Sequence, residues 1–297
     1  MAMTPYKIVP RKVSFDWKGT PPQWIKGEPF VSHLANSTHI LLPIVEAWFC
    51  QVYKEALPHV TDDKLREDVI AFMRQEAIHG GAHKPLAEHF LKFGMNIAPG
   101  VARTQRIVDR LVGDPERIFG LIPVKRLGLG KWWLDTRVGI IAAGEHFTCI
   151  LGRFILENQE LDKLEPDATM LDLLRWHGAE EVEHRAVAFD LYKDMTGAPI
   201  AHRVLVLGFI LPFLTWYWVE STRYLMSQDP TIAKVPGFFT EWRKASARNI
   251  IPSARSLIGA SWRFLTPGYN PEHEADTEIA LDYLARSPAT RRKTAAA

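Results

Sequence analysis

Two short stretches of this chain repeat the same arrangement of a glutamate and a histidine. QEAIH contains Glu76 and His79, and EVEH contains Glu181 and His184, so both have the pattern Glu-x-x-His. Residues three apart lie on one face of an α-helix, so each stretch would present a carboxylate beside an imidazole. One such pattern is common on solvated helices, whereas two in one chain predict a shared site.

Each of the two stretches is preceded by a glutamate in an otherwise apolar helical segment. Glu46 lies in PIVEAWF, 30 residues before Glu76, and Glu145 lies in AAGEHF, 36 residues before Glu181. Intervals of this length suit two long antiparallel helices joined by a short connection. The pattern therefore predicts four long helices arranged as two pairs, with the four glutamates facing one another.

Four inward carboxylates and two imidazoles can neutralise two divalent cations and bridge them through oxygen. One glutamate from each of two helices and a Glu-x-x-His from each of the other two form the ligand pattern of dimetal four-helix bundles. Carboxylate and imidazole ligands favour iron or manganese over metals that prefer thiolates. We therefore predict an all-α, ferritin-like four-helix bundle that binds two metal ions, iron by first expectation and manganese as the alternative. The predicted ligands are Glu46, Glu76, His79, Glu145, Glu181 and His184.

The stretch WHGAEEVEHRAV offers more candidate ligands than this pattern requires. His177, Glu181 and His184 fall within roughly 60° of one another on a helix, so His177 is predicted as a seventh ligand or as a hydrogen-bonding support for one. Glu180 has nearly as good an angle to the two histidines, and only the repeated Glu-x-x-His favours Glu181 over it. Glu183 points away from this face and is expected in solvent.

Further residues near the predicted ligands are candidates for the same site. His83, one helical turn after His79, is predicted as an extra ligand or as a support for one. His146 points off the ligand face, so either the core or the surface is its expected place. The residues expected to line a pocket at the metal ions are Trp48, Phe49, Cys50, Phe147 and Cys149.

Helical periodicity covers most of the chain, and no segment has a convincing strand pattern. Thr61 is the expected N-cap of the second long helix, and Gly94 and Gly197 are expected to end the second and fourth. The predicted helices are 37–57, 62–93, one or two within 96–127, 132–157 and 169–195. The predicted organisation is an extended N-terminal arm (1–30), the dimetal bundle (31–197), C-terminal helices packed on it (198–285) and a disordered tail (286–297).

The segment 204–219, VLVLGFILPFLTWYWV, is unusually apolar and contains no charged residue. A membrane-spanning helix usually needs roughly 20 such residues, so this segment is short for one. Trp216, Tyr217 and Trp218 cluster at its end and Arg223 follows, as in helices anchored at a membrane interface. Three interpretations stay open: a helix buried in the bundle, a helix that contacts one membrane surface, and a true span.

Composition excludes several classes of partner. Lys and Arg number 36 against 34 acidic residues, so the formal net charge of +2 gives no general attraction to nucleic acid. The two cysteines do not suggest a disulfide framework, and the N-terminal residues lack an apolar stretch of signal-peptide length. We therefore expect a cytoplasmic protein, with peripheral membrane attachment through 204–219 as an alternative, and a homodimer is compatible with the sequence.

The sequence also resembles a bacterial family labelled "predicted metal-dependent hydrolase" and grouped with the ferritin-like proteins. The motifs that carry the resemblance are PPQWIKGEPFVSHLANS, LPIVEAWF, QEAIHGGAH, WHGAEEVEHRAVAFDLY and RFLTPGYNP, which together span most of the chain. Val45 stands where that family usually has glycine before the first glutamate. This difference is expected to alter local packing more than ligation.

A more distant similarity is to the di-iron arylamine N-oxygenases, whose set of seven ligands matches the six predicted ligands together with His177. In those enzymes the additional histidine belongs to a site that activates dioxygen. The resemblance implies a non-haem di-iron oxidase or oxygenase that uses dioxygen on a small or lipophilic organic substrate, with an electron donor that the sequence does not identify.

Two other functions are weighed against this expectation. The first is a dimetal-dependent hydrolase, in which a bridging hydroxide attacks an ester or phosphoester. The second is a non-enzymatic metal-binding protein. Metal storage normally uses a shorter bundle that assembles into a shell, so the long C-terminal third of this chain is evidence against storage.

Overall fold

Five long α-helices dominate the computed structural model, which describes residues 7–290, and the predicted all-α class is confirmed for this part of the chain. The α-helices are α1 (Pro29–Ala56), α2 (Asp63–His83), α3 (Leu86–Leu91), α4 (Ala98–Val108), α5 (Val124–Leu127), α6 (Gly130–Glu157), α7 (Gln159–Asp162), α8 (Ala168–Thr196), α9 (Ile200–Gln228), α10 (Phe238–Ala247), α11 (Ala254–Leu265) and α12 (Thr277–Arg286). Two-residue strands β1 (Arg117–Ile118) and β2 (Ile122–Pro123) form a small antiparallel hairpin.

The bundle consists of α1, α2, α6 and α8. Helix α1 packs against α2 and α6 packs against α8, while contacts of α2 with α8 and of α1 with α6 close the bundle. Helix α9 packs on α1 and α6, and α12 packs on α8. The apolar core has two parts, one that contains Phe72 and one that contains Trp176. Polar residues that lie between these two parts are shielded from water on both sides.

Local sequence signals explain where the bundle helices begin and end. The Asp62 carboxylate caps α2 by accepting a hydrogen bond from the Leu65 amide at 2.9 Å, so Asp62 and not Thr61 is the N-cap. Asp167 caps α8 in the same way, through the amides of Thr169 and Met170. Gly197 ends α8 with φ of 74°, as predicted for a left-handed position that favours glycine.

Two of the predicted helices have different bounds. Helix α1 begins at Pro29 rather than at residue 37, and Pro43 lies in its interior. Helix α2 ends at His83, and a separate short helix follows before Gly94 reverses the chain at φ of 81°. The physical reason is Pro85, which has no amide hydrogen and whose ring would clash with the carbonyl one turn earlier.

The first residues of the predicted tail are held against the bundle by hydrogen bonds. The Ser287 hydroxyl and the Ala289 amide donate to the two carboxylate oxygens of the buried Asp172, at 2.8 and 3.0 Å. The part of the chain just after α12 is therefore fixed against α8. Residues 1–6 of the predicted arm and 291–297 of the predicted tail lie outside the described residues.

Two helices among the described residues are long and apolar enough to cross a membrane by length and composition alone. The most apolar window of α6 has mean hydropathy 1.4 and is 67% buried, in keeping with its place in the bundle. The corresponding window of α9 has mean hydropathy 1.5 and is only 22% buried. Segment 204–219 therefore lies along the flank of the bundle rather than inside it, and membrane contact through its outer face stays a prediction.

Candidate metal centre

The six residues of the repeated pattern converge inside the bundle. Helix α1 supplies one glutamate and α6 another, while α2 and α8 each supply a Glu-x-x-His. Every one of the six side chains is at least 97% buried, which is rare for glutamate unless it is paired or binds a metal. These residues are Glu46, Glu76, His79, Glu145, Glu181 and His184.

The candidate ligand atoms form two adjacent groups. Glu76, His79, Glu181 and His184 offer four atoms that all lie within 4.8 Å of one another, and Glu46, His79 and His177 offer a second such group. The groups share His79, whose Nδ1 lies 3.6 Å from Glu76 Oε2 and 3.7 Å from Glu181 Oε1. Two overlapping groups of ligand atoms support a site for two metal ions.

Several of these atoms are buried without a hydrogen-bond partner. Both carboxylate oxygens of Glu46 and of Glu76, Glu145 Oε2, His79 Nδ1 and both ring nitrogens of His184 are in this state. Leaving a buried polar atom unpaired costs free energy, and folded proteins rarely tolerate many such atoms in one place. Bound cations would satisfy these atoms together, so the residues fit a dimetal centre.

The pKa shifts of the buried groups in the cluster also fit a site that binds cations. Burial raises the pKa of Glu46 well above its ordinary value, and the nearby Glu76 adds to the shift. Burial, followed by the charge of Glu181, has the same effect on the pKa of Glu145. Burial alone would lower the pKa of His79, but the charge of Glu76 raises it well above its ordinary value. The cluster therefore holds excess negative charge, which protons neutralise when no metal does.

Metal binding is expected to tighten as pH rises above the ordinary pKa of glutamate, because a cation must displace the protons of Glu46 and Glu145. The raised pKa values keep both carboxyl groups protonated at pH values where an ordinary glutamate is ionised. Each displaced proton should change the metal dissociation constant by about tenfold per pH unit. Calorimetry in buffers of different ionisation enthalpy measures this proton release. Glu145→Gln should release about one proton fewer, and pH-independent affinity would contradict the assignment.

A hydrogen-bond network behind His79 reaches the N-terminal arm. Nε2 of His79 donates to Glu180 Oε2 at 3.0 Å, which orients Nδ1 toward the candidate ligands. Arg11 of the arm donates to Glu180 at 3.1 Å and to both oxygens of Glu183 at 2.7 and 2.8 Å. Gln75 donates to Glu183 at 2.7 Å. Glu180 is thus placed as a support for His79, and the cluster faces Glu181 instead.

The expectation that Glu183 is solvated was wrong. Its side chain does point away from the cluster, but that side of α8 is covered by the arm, and only 1% of the residue is exposed. Helical periodicity shows which residues share a face and cannot show what covers the opposite face. Sequence analysis therefore missed Arg11, for which no local signal exists.

A row of three buried histidines extends from the cluster. His177 Nε2 lies 2.6 Å from Glu181 Oε1 and 3.7 Å from Glu46 Oε1, so His177 borders both groups of ligand atoms. His177 Nδ1 lies 2.7 Å from Nε2 of His83, and His83 Nδ1 lies 2.7 Å from Nδ1 of His39. His83 is therefore placed as a support for His177. His39 was missed, although it precedes Glu46 by two helical turns and shares its face.

Thr148 is a third residue that the sequence analysis missed, after Arg11 and His39. Its hydroxyl group donates to Glu181 Oε2 at 2.6 Å, while the other carboxylate oxygen faces His177. Thr148 follows Glu145 by three residues on α6, so the helical pattern places the two on one face. His146 points elsewhere, as expected: it is buried in the core and hydrogen-bonds the Tyr269 hydroxyl at 2.6 Å.

One apolar cavity adjoins the cluster, and a second apolar cavity adjoins the first. The proximal cavity, about 190 Å³, is bordered by His83, His177 and Glu181 and otherwise mainly by apolar side chains. The distal cavity, about 100 Å³, is bordered by apolar residues of α1, α4, α6 and α9. Residues that line both cavities are Thr38, Leu42, Thr148, Leu151 and Trp218. The cluster is therefore approached through an apolar space.

The predicted pocket residues divide into two groups. Trp48, Phe49 and Phe147 line the distal cavity. The two cysteines do not line either of these cavities: Cys50 donates to the Met73 carbonyl oxygen at 3.4 Å, and Cys149 is buried in the apolar core. Each cysteine lies four residues after a glutamate and therefore on the same side of its helix, but one helical turn, about 6 Å, is enough to place it outside both cavities.

Comparison with known proteins identified one family. The family model described as "Predicted metal-dependent hydrolase" matches residues 9–275 of the chain. No curated protein and no solved structure matched the chain. The matched range includes every candidate ligand and the residues that border both cavities.

Proposed function

This chain belongs to the predicted metal-dependent hydrolase family, and we propose that it is a dimetal hydrolase that cleaves a neutral organic ester. The observation that carries the proposal is that the ligand cluster opens on the proximal cavity, because Glu181 and His177 border both. A substrate in that cavity would reach the cluster from the side of α8. The family description supports hydrolysis as the reaction, and the cavity supports an organic substrate without charge.

The residues of the cluster would hold and orient the metal ions. Two divalent ions bound there would supply Lewis acidity that polarises a carbonyl group and lowers the pKa of a water molecule. The carboxylates would balance the positive charge, and Thr148 would fix the Glu181 carboxylate through its hydrogen bond. Glu180 would fix the ring of His79 so that its Nδ1 stays directed at the cluster.

The surroundings of the cluster would exclude water during the reaction. The ring of Trp176 packs at 5.2 Å from that of His79, and the ring of Phe72 packs at 4.6 Å from that of His184. Charges interact more strongly where water is excluded, so the same ligands polarise a substrate more effectively than at a surface.

A dimetal oxidase or oxygenase that acts with dioxygen on a small or lipophilic organic substrate is the second candidate. The observation that favours it is the size of the ligand set: three carboxylates and three imidazoles converge, and a fourth carboxylate, that of Glu145, lies 3.3 Å from His184, so the set exceeds what polarising one water requires. Bound iron or manganese would supply the redox chemistry that this reaction needs. This candidate also requires an external electron donor.

We expect the metal-loaded protein to release p-nitrophenol from p-nitrophenyl butyrate in the absence of dioxygen, because the proposed reaction uses only water. The rate should fall in proportion to the metal removed by a chelator and return when metal is restored. Zinc, manganese and ferrous forms should be compared, with an oxygen electrode alongside the ester assay. Oxygen consumption by the ferrous form without ester cleavage in any form would favour the oxidase. Retained metal with neither activity would favour a non-enzymatic role.

A further inference from the structure

The residues that line the proximal and distal cavities limit the kind of ligand that can bind there. Their lining contains no Lys, Arg or Asp side chain among the described residues, and Glu181 is its only carboxylate. The polar groups that border the proximal cavity are concentrated at the cluster, where His83, His177 and Glu181 lie. A ligand with polar groups along its length would leave those groups without hydrogen-bond partners, which disfavours binding. The part of the ligand remote from the cluster is therefore apolar.

The dimensions of the space favour a slender ligand. The cavities measure about 190 and 100 Å³, so only the two together come near the lower bound of small-molecule sites, which occupy about 300–1,000 Å³. They adjoin across Leu42 of α1 and Leu151 of α6, both of which line each cavity. A chain that starts at Glu181 and passes these two residues would fill both cavities, whereas a broad ring system would be confined to the proximal one.

We infer that the two cavities bind a single unbranched hydrocarbon chain whose polar end lies at the cluster. This inference rests on the proposed function, because it identifies the substrate as an ester of a straight-chain acid or alcohol. The polar end would lie against Glu181 and His177, and the methylene groups would contact the apolar residues beyond them. The distal cavity accommodates the far end of the chain between α1, α6 and α9.

Binding of neutral 1-alkanols to the metal-loaded protein tests the inference without requiring turnover. Isothermal titration calorimetry with 1-butanol, 1-hexanol, 1-octanol and 1-decanol should show affinity that rises about fourfold per methylene group, as expected for burial of a chain. The rise should level off once both cavities are filled. Affinity that does not depend on chain length would overturn the inference.

Substitutions of Leu151 and Leu42, which line both cavities and form the wall between them, test where the hydrocarbon chain of the ligand lies. Leu151→Trp should block the distal cavity and weaken 1-decanol binding by at least about tenfold while changing 1-butanol binding less. Leu42→Trp tests the same wall from α1 if the first variant fails to fold. Leu91→Trp is the matched control, because Leu91 is 58% exposed and lines neither cavity. An equal loss in the control, or none in both wall variants, would overturn the inference.

The test of the hydrocarbon site and the test of the proposed hydrolase activity can give different results. Chain-length-dependent binding without ester cleavage would refute the hydrolase and retain the hydrocarbon site. Ester cleavage without chain-length-dependent binding would retain the hydrolase and refute the hydrocarbon site.

Discussion

Replacing Glu181 by glutamine is expected to remove both metal ions from the protein. Glu181 is the carboxylate on which most of the cluster depends: one oxygen lies 2.6 Å from His177 Nε2 and 3.7 Å from His79 Nδ1, and the other accepts from Thr148. Glutamine has an uncharged amide in place of the carboxylate, so the substitution removes one negative charge from the middle of the site. The metal content, measured by elemental analysis after dialysis, should fall from about two ions per chain toward none.

Glu180→Gln is the matched control, because the two glutamates are neighbours on α8 and are equally buried from water. Glu180 contacts the ring of His79 and Arg11 and is not among the converging ligand atoms. Its replacement should weaken metal binding by roughly 10- to 100-fold without removing the site. Melting curves of the metal-free variants show whether both are folded.

The opposite result for the two variants would mean that the phase assigned to α8 is wrong by one residue. One tightly bound ion that survives both Glu181→Gln and Glu76→Ala would contradict a dimetal centre altogether. It would instead indicate a single ion held by the remaining histidines and glutamates.

The repeated Glu-x-x-His, with a glutamate before each copy, is enough to predict the four-helix bundle and the six side chains that converge inside it. Helical periodicity fixes which residues share a face, and two antiparallel pairs leave few ways to arrange four inward glutamates. The choice between Glu180 and Glu181 depended on the second Glu-x-x-His, and the structure places Glu181 in the cluster for the same geometric reason. Whether these residues bind metal as ligands stays a prediction.

Other features could not be predicted, because they depend on contacts between distant parts of the chain. Arg11 reaches Glu183 across 172 residues, and nothing in the arm distinguishes this arginine from its neighbours. The break at Pro85 had a local signal, which helical spacing on both sides obscured. The distal cavity arises from the way α9 packs on α1 and α6, and a pattern of apolar residues does not specify that packing.

Helices α6 and α8 approach each other closely at a pair of glycines. A Cβ atom at Gly152 would lie 2.4 Å from the Gly178 carbonyl oxygen and 2.8 Å from its Cα, and one at Gly178 would lie 2.7 Å from the Gly152 Cα. These neighbours are backbone atoms and cannot move without moving the helix. Gly178 follows His177 directly and Gly152 lies two turns after Glu145, so the contact sets the distance between ligands on the two helices.

Gly152→Ala is therefore expected to lower the free energy of unfolding by about 3 kcal/mol, at the upper end of overpacking effects, because the added methyl group must push α6 away from α8. The same displacement should separate Glu145 from His184, whose Oε2 and Nδ1 are 3.3 Å apart, and reduce metal content. Urea denaturation and elemental analysis measure the two effects. Gly208→Ala on α9 is the control, since nothing lies within 4 Å of its added methyl group and alanine favours a helix by about 1 kcal/mol. Wild-type stability in Gly152→Ala would show that the two helices have room to separate, and the ligand spacing would then have to be fixed by the metal ions rather than by the backbone.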